Sequence, residues 1–82
     1  MYLAKVYVTL KPTVNDPQGI TVLGGLKNMG YESVSEVRVG KFLEIKIDEA
    51  ELSRAESIAN EMCEKLLANP VIEQYSVELV ER

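Results

Sequence analysis

Cys63 is the single thiol of this sequence, and histidine is absent. The commonest general base and the commonest metal ligand are therefore missing together. One cysteine cannot anchor a zinc site, which takes three or four ligands, and cannot form an internal disulfide. Cys63 also falls on an apolar stripe at helical spacing. A reactive thiol needs exposure and positive neighbours, so Cys63 reads as core filler. Thirteen carboxylates remain. Most fall on the solvent faces of expected helices and strands, and none forms an isolated pair in an apolar setting. No P-loop and no GxGxxG occurs. The four tyrosines alternate with small or polar residues and read as packing rather than base-stacking platforms.

Three stretches stand out from this background. The first, LKPTVNDPQG (residues 10–19), holds Lys11, Thr13 and Asp16 among two prolines and a glycine. The second, VRVGK (residues 37–41), sets Arg38 and Lys41 on either side of Gly40. The third, LANPVIEQY (residues 67–75), contains Asn69 and Glu73. Each also has a plain structural reading: a loop with a helix cap, a strand bend, and a helix stop.

The elements that must position these stretches follow from periodicity. Residues 2–10 alternate, with Ala4, Val6, Val8 and Leu10 on one face and Lys5, Tyr7 and Thr9 on the other, as in a half-buried strand. Pro12 cannot donate to a ladder, so the strand should stop near Lys11. Asp16-Pro17 opens a helix, with Asp16 as cap and Pro17 at the first helical position. Ile20, Leu23 and Leu26 follow at helical spacing, and Gly30 is a natural stop. Gly24 and Gly25 each cost roughly 1 kcal/mol against alanine. They give either a weak helix or a place where another backbone packs closely.

Residues 34–47 hold the longest period-two run. Val37, Val39, Leu43, Ile45 and Ile47 share one parity; Glu36, Arg38, Glu44 and Lys46 share the other. A two-residue hairpin at Gly40-Lys41 would mix the faces, so the phase favours one long strand bent at Gly40 over a three-residue loop. Asp48 and Glu51 then form a capping-box arrangement. Leu52, Ala55, Ala59, Met62, Cys63, Leu66 and Leu67 make an apolar stripe, and Asn69-Pro70 ends the helix. Residues 71–80 read as a last strand with Tyr75, Val77 and Leu79 on one face.

The order β-α-β(β)-α-β predicts an α+β fold. Two helices should pack on one face of a mostly antiparallel sheet, related to the ferredoxin-like arrangement. Residues 1–82 should form a single domain. A chain this short buries only about 60–65% of the surface its unfolded form exposes, so a thin core favours a dimer or larger assembly. The net charge of -4 and pI of about 4.8 disfavour nucleic-acid partners and anionic membrane surfaces. The N-terminal MYLAKVYVTLKP reads as a strand rather than a signal peptide, and no apolar run approaches the ~18 residues of a membrane span. A cytoplasmic protein is expected.

Taken together, in this order and at this spacing, the three stretches resemble the PurS family, the small subunit of phosphoribosylformylglycinamidine synthase. The resemblance covers essentially the whole chain. It departs at Gly24-Gly25, where better helix formers are more usual. The resemblance implies a place in de novo purine (IMP) biosynthesis. It implies a glutamine-dependent ligase complex that uses ATP, magnesium and glutamine, with none of these bound by the small subunit. That subunit would contribute no catalytic residues. As a dimer it would join a large ligase subunit to a glutaminase subunit and support ammonia transfer between them. Interface candidates on the three stretches are Lys11, Thr13, Asp16, Arg38, Gly40, Lys41, Asn69 and Glu73. The competing reading is a ferredoxin-like small-molecule-binding regulatory module, with Lys11, Arg38 and Lys41 holding an anion. An autonomous enzyme is disfavoured by the missing histidine and the buried thiol.

Overall fold

A computed structural model describes residues 1–82. The elements run β1 (Tyr2–Leu10), α1 (Pro17–Asn28), β2 (Gly40–Ile47), α2 (Leu52–Met62) and β3 (Glu73–Glu81). The sheet order is β2-β1-β3, with β1 antiparallel to both neighbours. β2 and β3 therefore run parallel on either side of β1, joined by the α2 crossover, which is a split β-α-β unit. The α+β class and the β-α-β-α-β order match the sequence expectation.

β1 carries the core because it is the only strand with two neighbours. Ala4, Val6 and Val8 are almost fully buried. Across the registers Val6↔Leu43, Val6↔Val77, Ala4↔Ile45 and Ala4↔Leu79, the inner parity is apolar on all three strands. α2 covers this face with Ala55 and Ala59, and Cys63 just past its end continues the contact, all three buried. These side chains are small, so the helix sits close to the sheet. On the outer parity Lys5 stands between Glu44 and Glu78, a favourable cross-strand charge pattern.

The helical stripe changes phase at its end. After Met62 the chain widens into one π-turn, Cys63–Leu67, in which Ala68 N donates to Cys63 O at 3.0 Å. The wider turn carries Leu67 and Ala68 toward the core and leaves Leu66 83% exposed. Leu66 thus leaves the expected stripe, and Leu52, the first residue of α2, is exposed at the helix's other end.

Two further expectations are corrected. The capping box at Asp48 does not form: α2 begins at Leu52, with Glu51 at the cap position and no side-chain cap. Glu49 instead accepts from Arg54 at 3.0 Å. The long strand over 34–47 is also shorter than its parity implied. The ladder begins at Gly40, paired with Thr9, because β1 ends at Leu10 and leaves residues 34–39 without a partner.

α1 is held differently from α2. Only Gly19 of α1 is buried, and Ile20 is 63% exposed. Its substantial packing partners in the sheet are none, whereas α2 packs on both β1 and β3. The chain is accordingly elongated, 50 × 27 × 14 Å, with a radius of gyration of 16.2 Å, against about 12 Å for a compact domain of this length. Its accessible surface is 5830 Å², against about 4,900 Å² for a compact monomer of this mass.

Candidate functional site

The three singled-out stretches meet at one end of the sheet. They are joined by hydrogen bonds that the sequence did not announce. Asp16 is the centre. It is the one buried charged residue, 5% exposed. Its Oδ1 accepts from Gly19 N at 2.9 Å, which is the expected helix cap. Its Oδ2 accepts from Val39 N at 2.6 Å, a bond across to the second stretch. These two amide donors, Val39 first and then Gly19, hold its carboxyl below the usual range, and the nearby Arg38 charge acts in the same direction against the cost of burial.

Arg38 answers this bond from the other side. One guanidinium nitrogen, Nη2, donates to Lys11 O at 3.1 Å and Val14 O at 2.9 Å. The turn 11–14 is closed by Val14 N donating to Lys11 O at 2.9 Å. Gly19 is required by the close approach: a Cβ there would overlap the carbonyl oxygen of Val37 and lie 3.0 Å from its carbon. Gly40 is similar, since a Cβ would stand 2.6 Å from Val8 O.

The third stretch joins through the main chain. Lys11 N donates to Ile72 O at 2.8 Å. Asn69 organises the turn before β3: its Oδ1 accepts from Val71 N at 3.1 Å, and its own N–H donates to the Glu73 carboxylate at 2.7 Å. Between the stretches lies a cleft of about 430 Å³, lined by Thr9, Asp16, Pro17, Gln18, Gly40, Lys41 and Glu73, among others.

Of the eight candidates, Asp16, Gly40, Lys41 and Glu73 line this cleft. Lys11, Arg38 and Asn69 hold its walls together. Thr13 is exposed on the 11–14 turn and makes no side-chain hydrogen bond. The anion site imagined for Lys11, Arg38 and Lys41 does not assemble, because Arg38 is spent on carbonyl oxygens and two carboxylates line the cleft. No group of three or more His, Cys, Asp or Glu gathers to hold a metal. No helix is long and apolar enough to cross a membrane.

Two features lie outside the expected set. Tyr7 and Phe42, opposite each other on β1 and β2, stack with ring centroids 5.0 Å apart on the open face of the sheet. Their shared outer parity was the available signal. Tyr75 donates to Glu64 at 2.9 Å, across α2's end, which raises the phenol's pKa. Cys63, beneath them, has its thiol pKa pushed up by burial and then by Glu64.

The comparisons with known proteins agree with this arrangement. The PurS family model, described as phosphoribosylformylglycinamidine (FGAM) synthase, matches residues 3–81. The phosphoribosylformylglycinamidine synthase subunit PurS of Bacillus subtilis is 48% identical over 81 residues, covering 99% of this chain and 95% of the relative. That of Synechocystis is 44% identical over 78 residues, covering 95% and 78%. The crystal structure of Methanocaldococcus jannaschii PurS superposes with a TM-score of 0.90 at 36% identity, covering 100% of this chain and 99% of that one. A chain of the Thermotoga maritima PurLQS structure superposes with a TM-score of 0.85 at 28% identity, covering 98% and 99%. Matched along nearly its whole length in sequence and in backbone, the chain belongs to the PurS family.

Proposed function

We propose that residues 1–82 act as one PurS-like domain, the small non-catalytic subunit of phosphoribosylformylglycinamidine synthase in purine biosynthesis. The observation that carries this reading is the full-length match to PurS subunits of that synthase. The complex is a glutamine-dependent ligase using ATP and magnesium, and this chain binds none of these itself. Its partners are a second copy, a large ligase subunit and a glutaminase subunit, in the cytoplasm. The elongated shape and large accessible surface of the single chain support self-association.

The physical need for such a subunit is a sealed path. Ammonia released near neutral pH is protonated in water and lost as a nucleophile. It must pass from glutaminase to ligase without meeting bulk solvent. A small rigid subunit held between the two closes the gap. The corner built from the three stretches supports this role, since Lys41, Gln18 and Glu73 stand there on a braced main chain. Lys11, Thr13, Asp16, Arg38, Gly40, Lys41, Asn69 and Glu73 are the proposed assembly residues, by contact or by bracing.

The test is reconstitution from the three separate proteins. Glutamine-dependent amidation should require this chain, while ligation with added ammonium by the large subunit should not. Co-elution with both partners should strengthen with glutamine and nucleotide. Equal glutamine-dependent rates with and without the chain would defeat the reading. Calorimetry on the isolated chain checks the regulatory alternative, which requires a small ligand to bind it alone.

A further inference from the structure

The chain leaves the sheet after Leu10 and returns to it at Gly40, and residues 17–38 project between Asp16 and Val39, which a hydrogen bond ties together just outside the ladder. α1 accounts for most of the projection, about 18 Å of helix. Beyond its first turn it has no substantial packing on the sheet or on α2. Ile20, Val22, Met29 and Tyr31 are all exposed. The long-range hydrogen bonds of this segment all sit at the neck. Asp16 Oδ2 accepts from Val39 N. Arg38 holds the carbonyls of Lys11 and Val14. Gly19 presses on the Val37 carbonyl.

We propose that this neck is a latch that sets the direction of the α1 arm, with Asp16 and Arg38 as its positioning residues. The two oxygens of Asp16 do different jobs. Oδ1 caps the helix, which concerns only α1. Oδ2 ties the helix to the returning strand, which concerns where α1 points. Pro17 and Gln18 line the cleft from the first turn of α1, while Gly40 and Lys41 line it from β2. A change in the arm's direction therefore changes the spacing between Gln18 and Lys41. The latch is a property of this chain alone and does not depend on the ligase and glutaminase.

Asp16→Asn separates the two jobs. Its Oδ1 still accepts from Gly19 N, and asparagine caps helices as well as aspartate does. Its amide nitrogen would then face Val39 N–H, donor against donor. The experiment places nitroxides at Asn28→Cys and Glu78→Cys, both exposed sites, in a Cys63→Ala background. Labelled chains are diluted into unlabelled protein, and the distance distribution is measured by pulsed electron resonance. The latched protein should give one narrow distribution. Asp16→Asn should widen it about twofold and speed exchange of the Val39 amide about tenfold, with amides of Val6 and Val8 unchanged. Helix content by circular dichroism should stay the same. Arg38→Gln should widen the distribution as well, by freeing the 11–14 turn.

An unchanged width in both variants overturns the proposal, because the arm is then held by something else. Widening that comes with loss of helix also overturns it, because Asp16 is then only a cap. Faster exchange throughout β1 does the same, since the neck would then belong to the core.

Discussion

The Arg38 guanidinium donates to the main-chain carbonyl of Lys11 at 3.1 Å, so two cations from separate stretches meet as side chain and scaffold of one contact. This divides the roles of the central cations. Arg38 acts within its own chain. Lys41 is exposed, lines the cleft, and forms no ion pair there.

Lys41→Ala should therefore leave the fold alone and weaken assembly. An interfacial charge left without its mate costs 2–5 kcal/mol, about 30-fold or more in Kd. The expected result is a fall in glutamine-dependent synthesis and in co-elution, while ammonium-dependent ligation changes by less than about twofold. Arg38→Ala should lower both Tm and assembly, since it releases the 11–14 turn. Unchanged turnover in Lys41→Ala would remove Lys41 from the contact surface.

The glycines separate by what surrounds them. Nothing lies within 4 Å of a Cβ added at Gly24 or Gly25. Each alanine substitution there should stabilise α1 by up to about 1 kcal/mol, seen as raised helix content. If Gly24→Ala instead abolishes self-association, a second backbone packs on that face. Gly19→Ala should be strongly destabilising, because Val37 O occupies the space and must move.

Asp16 predicts an acid limb in stability. Its carboxyl titrates below the usual range when folded because Val39 and Gly19 donate to it. Its contribution is fully present above the unfolded value of about 3.9 and is lost as pH falls through the lower folded value. Thermal melts should be flat in this contribution near neutral pH and fall below about pH 4. Asp16→Asn should make that fall shallower. Asp16→Ala, which also loses the cap, should lower Tm by about 4–8 °C. Glu61, also lowered by its exposed pair with Lys65, is common to all these proteins.

Cys63 is structural. It is fully buried between α2 and the sheet, and burial raises its thiol pKa. Thiol reagents should label it only in denaturant. Cys63→Ala should cost about 1 kcal/mol, a small large-to-small loss. Glutamine-dependent activity of the reconstituted complex should survive. Its loss in a well-folded Cys63→Ala protein would contradict this assignment.

Local signals were the ones readable in the sequence. Asp16-Pro17, the parity of β1 and the Asn69-Pro70 stop each depend on neighbours along the chain, and each stands in the structure. Residues 34–39 kept strand parity but had no strand opposite them, because Pro12 had already ended β1; ladder length is a property of two strands. Asp48 and Glu51 had capping-box spacing, yet Glu49 took the arginine and the helix began later. The π-turn has no residue signature, so the outward turn of Leu66 was not foreseeable. Arg38 is exposed, as its polar parity implies. That its partners are carbonyls 24 and 27 residues away follows only from the closure of the neck.

The central position of β1 has a consequence for biosynthesis. β1 pairs Tyr2 with Glu81, 79 residues further along the chain. At 5–20 residues per second, β1 waits about 4–16 s for its second neighbour. During that wait its apolar Ala4, Val6 and Val8 face has at most one flanking strand, and α2 has only part of its seat. The sheet is therefore completed only once β3 has been made, through contacts between residues up to 79 apart, a topology that folds slowly for its size. A truncation of only the last nine residues would remove all of β3 apart from Glu73, and with it one whole edge of the strand that carries the core.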